Sequence, residues 1–142
     1  MNTILLILHL LGFGAAFAAS LANNVLMIVA AKASPEDATG LRRFPPVMIR
    51  SADIGLVLLW ITGPILLWTK YDGAEGLAAL PWSFEAKIIC VVLLTLTLGM
   101  IHMTLGKMKR GDMSVAARLP VYGKVGLGLL LLVVIFAAIT FD

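Results

Sequence analysis

Four ionisable side chains stand inside long apolar stretches of this chain: His9, Asp53, Lys87 and His102. An imidazole there can ligate a metal or pass a proton, a carboxylate can hold a cation or orient a histidine, and an ammonium can pair with an anionic group. Each also has a plainer reading. Lys87 can snorkel towards Glu85, Asp53 can pair with Arg50 one turn earlier, and His102 can bond a helix carbonyl. His9 shares a helical stripe with Gly12, Ala16, Ser20, Asn23 and Met27. Small residues at that spacing let helices approach closely, and a histidine among them is an odd choice for packing alone.

The elements that must position these groups follow from composition. The chain has 142 residues, 61% of them hydrophobic and 13% charged, with a mean hydropathy of +1.01. A soluble domain carries about 25% charged residues. Apolar runs cover Thr3–Ala31, Val47–Trp68, Trp82–Leu105 and Val121–Phe141. Each reaches the roughly 20 residues that cross a hydrocarbon core, where a backbone must satisfy its own hydrogen bonds as helix. The expectation is an all-α integral membrane protein, a single domain over residues 1–142. Its four transmembrane helices should span about 3–31, 47–69, 82–108 and 119–141. No cationic start precedes the first run, which is too long for a signal peptide, so it reads as a retained helix.

The net charge of +3 does not indicate nucleic acid. Lys32, Arg42, Arg43 and Arg50 flank the first connection, and Lys107, Lys109, Arg110, Arg118 and Lys124 flank the third. Only Lys70 and Lys87 lie towards the other side. This asymmetry places the two basic connections in the cytoplasm and both termini outside. Trp68, Tyr71 and Trp82 then form an outer aromatic belt around the turn at Tyr71-Asp72-Gly73, and Ala33-Ser34-Pro35-Glu36-Asp37 reads as an inner loop.

Depth sorts the polar groups into two layers. At 1.5 Å per residue, His9 is about 9 Å in from the outer end, with Lys87 similarly deep. Asn23, Asn24, Arg50, Asp53, His102 and Tyr122 form an inner layer. Stripes containing Asp53, Trp60 and Pro64, then Thr95, His102 and Gly106, then Tyr122, Gly126, Leu129 and Val133 are expected to meet at the bundle centre. His102 lies about 30 Å down, leaving a gap of roughly 20 Å between the two imidazoles. Met27, Met48, Met100, Met103 and Met108 are soft donors near the inner side, yet Met100 and His102 project about 160° apart on one helix and cannot readily share an ion. Cys90 stands alone mid-helix, without a disulfide partner.

Taken together, Ile7-Leu8-His9-Leu10, the basic inner loop, Trp82-Ser83-Phe84-Glu85-Ala86-Lys87-Ile88, Ile101-His102 and Arg118 resemble a small membrane superfamily. It holds the HemJ-type protoporphyrinogen IX oxidases, the copper-resistance D membrane proteins and several uncharacterised bacterial families. The resemblance implies a haem-binding redox protein of the bacterial cytoplasmic membrane, carrying haem b. His9 would be the axial ligand and Lys87 the partner of a propionate. A porphyrin, a membrane electron acceptor, the lipid bilayer and a second copy of the chain are the implied partners. Two oxidase features differ: Val121-Tyr122 stands near the family's Asn-Glu, and no terminal Lys-Pro occurs in Ala138-Ile139-Thr140-Phe141-Asp142. The other readings are a small transporter or ion-handling protein built on Asp53 and His102, and a helical accessory subunit without chemistry of its own.

Overall fold

Long runs of Leu, Ile, Val and Ala with few breakers form helix throughout. The computed structural model of the chain describes residues 3–41, 43–70, 76 and 80–141. Arg42, Tyr71, Asp72 and Gly73 lie outside the described residues. The elements are α1 (Thr3–Lys32), α2 (Pro35–Leu41), α3 (Pro45–Lys70), α4 (Trp82–Lys109), a 3₁₀ turn (Met113–Arg118) and α5 (Leu119–Phe141). Four of these segments are long and apolar enough to cross a membrane. The expected boundaries hold to within two residues. Pro45 and Pro46 occupy the first turn of α3, where a missing N–H costs nothing.

The connection between the first two long helices, read from the sequence as a loop, holds a short helix. Pro35 opens α2, and Ser34 caps it: the Asp37 N–H donates to Ser34 Oγ at 3.2 Å while Ser34 Oγ donates to the Asp37 carboxylate at 2.7 Å. This is half of a capping box: the Ser34 hydroxyl takes one backbone N–H, while Asp37 bonds that hydroxyl and not the Ser34 backbone N–H. Helix α4 ends as its sequence suggests. Gly111, at φ +96°, takes the left-handed position, and the N–H groups of Gly111 and Asp112 return to the carbonyls of Met108 and Lys107. Asp112 then caps the 3₁₀ turn, accepting from the hydroxyl and N–H of Ser114. The hydroxyl bond, with the nearby charges of Lys107 and Arg118, holds the Asp112 carboxyl below the usual range. A depressed carboxyl stabilises the turn above the unfolded value, and that contribution is lost as pH falls through the folded one. Ser114→Ala should therefore raise the Asp112 pKa towards normal, as read by carboxyl-carbon NMR titration.

Neighbouring helices run in opposite directions. The close pairs are α1 with α3 and α4 with α5, joined across α1 and α5. Buried Ala16, Leu56, Leu94 and Leu130, one from each long helix, form the core, with Phe13, Phe17, Leu98 and Leu129 packed on it. The tightest crossing is α1 on α3. A Cβ at Gly55 would collide with the Gly12 carbonyl oxygen and lie 2.8 Å from Ala16 N, and one at Gly12 would lie 2.8 Å from Leu58 Cβ. Two glycines and an alanine thus set the distance between these helices. At the end bearing the termini, Thr140 donates to the Phe136 carbonyl and accepts from buried Ser83 at 2.8 Å, while Trp82 meets Phe136 edge-on. Trp68 and Trp82 are both exposed at that end.

Candidate functional site

His9 sits half-buried at the α1–α3 crossing, one turn from Gly12 towards the termini. Its ring lies over Gly63, where an added Cβ would come 3.4 Å from Cε1. Its Nδ1 is 2.8 Å from Oγ1 of Thr62, a residue only 2% exposed. Thr62 spends its one hydroxyl proton on the Leu58 carbonyl, at 2.6 Å. The threonine oxygen must then accept from the imidazole, so Nδ1 carries a proton and, in the neutral ring, Nε2 keeps its lone pair. A hydrogen bond of this kind is how proteins fix the tautomer of a ligating or proton-accepting histidine. Lys87 of α4 lies in the same layer, within electrostatic reach of His9.

The inner polar layer does not assemble as one site. Asn23 and Tyr122 line a cavity of about 70 Å³ between the four long helices. Asn24 turns aside, donating to the Ser20 carbonyl of its own helix and, at 3.0 Å, to the Gly123 carbonyl of α5. Asp53 bonds His102 Nε2 at 2.9 Å, not Arg50, which is exposed. His102 is accordingly no buried imidazole on a helix carbonyl: its side chain is 50% exposed and that of Asp53 36%. Trp60 Nε1 donates to Thr95 Oγ1 at 2.9 Å along the same seam. The stripes of α3 and α4 therefore meet each other on the flank and not at the bundle centre. The centre is taken by Leu56, three residues after Asp53, and by Leu94, next to Thr95, and Pro64 faces outward. The stripe of α5 does face inward, with Gly126 and Val133 buried.

The two histidines hold separate stations on α3. Their partners Thr62 and Asp53 are nine residues apart, about 14 Å along the helix. That exceeds the few ångströms allowed to two ligands of one metal. Among the described residues no cluster of three His, Cys, Asp or Glu side chains could hold an ion. Thr62 was not singled out from the sequence. Placing Gly12 against Gly55 in an antiparallel pair would have found it, since that register brings His9 towards residues 58–62.

Comparison of the chain with protein-family models, with curated proteins and with solved structures finds no match.

Proposed function

We propose that the chain is a multi-pass haem-binding redox protein of the bacterial cytoplasmic membrane, in which His9 would hold the iron. The observation that carries the reading is the relay from His9 Nδ1–H to Thr62 Oγ1–H to the Leu58 carbonyl. It leaves Nε2 unprotonated and the ring fixed, as iron requires of a histidine. Haem b would supply one-electron chemistry. The chain's own part is to present Nε2, hold the ring against Gly63, and offer the Lys87 ammonium to an anionic edge of the group. A porphyrin of the protoporphyrinogen class is the proposed substrate.

The experiment is an absorption spectrum of the detergent-solubilised protein made with haem supply. A Soret band that shifts on reduction supports the reading. A colourless, folded protein that fails to take up added haemin overturns it, and turns attention to ion handling at the Asp53–His102 pair. We further propose that both termini lie outside the cytoplasm, on the strength of the basic residues gathered at the two other connections. A reporter fused after Asp142 that is active only outside the cytoplasm should function, and one active only inside should stay silent.

A further inference from the structure

Helices α3 and α4 complete the ring of four but hardly approach through their backbones, in contrast to the close pairs. The bonds Asp53–His102 and Trp60–Thr95 bridge the gap on one antiparallel register, seven residues apart on each helix. Arg50, three residues before Asp53, therefore stands level with Leu105, three after His102. Next to Leu105 is Gly106, and the Arg110 guanidinium folds back over it. Arg110 Nε donates to the Gly106 carbonyl at 3.3 Å, and its Nη2 lies 3.9 Å from where a Gly106 Cβ would stand. Arg50 lies about 60° round α3 from Asp53, on the side away from central Leu56. Gly99 and Gly106 lie about 60° and about 40° round α4 from His102, on the side away from central Leu94. The lipid flank of the seam is thus a groove. Its floor on α4 is Gly99, exposed and with nothing within 4 Å of an added Cβ, and exposed Val57 and Val92 form its sides. The two guanidiniums stand on opposite lips at its basic end. Both are exposed, and among the described residues neither has a carboxylate partner.

We propose that this groove binds one anionic phospholipid, its phosphate held between Arg50 and Arg110 and an acyl chain lying over Gly99 towards Trp60. Charge selects the occupant. Guanidinium forks match phosphate oxygens in pairs, and two of them on either side of a gap leave a place for a negative group. Asp53, one turn from Arg50, already bonds His102. Helix α3 begins at this end and α4 finishes at it, so their dipoles oppose and the arginines set the sign. Depth favours a lipid over a soluble anion. Arg50 is five residues, about 8 Å, inside α3. Beyond it the exposed side chains are apolar: Ile54, Val57 and Ile61 on α3, Val92 and Leu96 on α4. A second copy inserted the same way would set Arg50 and Arg110 against their own twins, and like charges would oppose it. Basic pockets between membrane helices hold lipid headgroups on these terms. The inference rests on the helices crossing a membrane and not on haem at His9, so either can fail alone.

The test uses the full chain carrying Trp68→Phe and Trp82→Phe, which leaves Trp60, bonded across the seam, as the one tryptophan. It is reconstituted in phosphatidylcholine vesicles with rising fractions of phosphatidylglycerol brominated at mid-chain, or of phosphatidylcholine brominated alike. Quenching of Trp60 should favour the anionic lipid about fivefold. Arg50→Gln joined to Arg110→Gln should abolish that preference. Lys124→Gln, which removes a charge from α5 at the same end, should keep it. Gly99→Leu, which fills the groove, should lower quenching by the anionic lipid. Equal quenching by the two lipids overturns the proposal. So does a preference that survives the double arginine change, that ignores Gly99→Leu, or that falls as far in Lys124→Gln, the mark of a diffuse basic surface. Should the double arginine variant fail to fold, Arg50→Gln alone and Gly99→Leu decide.

Discussion

Gly55→Val should cost the protein about 1–3 kcal/mol of stability, the usual penalty for forcing volume into a closed contact, while Gly14→Ala should change it by about 0.5 kcal/mol or less. At Gly55 the added carbon meets the Gly12 carbonyl and the Ala16 backbone, neither of which can rotate away. The helices must separate or shear. At Gly14 nothing lies within 4 Å of the new carbon. Unfolding in a detergent–SDS titration, followed by tryptophan fluorescence, measures both. The Gly55 change should also loosen His9, because the Thr62 hydroxyl that holds it lies two turns further along the same helix. Equal stability of the two variants would mean that the α1–α3 crossing is not the tight contact described.

Haem content should collapse in His9→Ala and survive largely intact in His102→Ala. The distinction follows from stations about 14 Å apart on α3, which no single iron can bridge. His102 is held at Nε2 by Asp53 on the bundle flank, whereas His9 is held at Nδ1 by Thr62. Thr62→Val is the more discriminating variant. It preserves shape but removes the acceptor that fixes the His9 tautomer, and loss of such a partner weakens a metal site about 10–100-fold. Thr62→Ser should restore most of the affinity. Haem per protein, with haemin titrations for the Thr62 variants, reads all four. Equal loss from both histidine variants, with the fold intact, would overturn the ligand assignment.

The same contrast runs through the molecule's legibility. Hydropathy, residue type and spacing determined four membrane-length helices, their ends to within two residues, and the packing role of Gly12 and Ala16. These are local properties: a run of about 20 apolar residues has no other way to satisfy its backbone, and a glycine after a basic last turn is a stop signal whatever surrounds it. Residue type and depth likewise marked His9, Lys87, Asp53 and His102 as unusual. Which groups join was not local. A helical stripe gives a direction to within one neighbour's width, about 100° per residue. That error separates the centre of a four-helix ring from the seam between two of its members. It is why Asp53 and Trp60 face the seam with α4 while Leu56, within about 60° of both around the helix, faces the centre. Only the antiparallel register fixed by Gly12 and Gly55 decided that His9 would find Thr62, because a single-residue slip carries the imidazole round to another face.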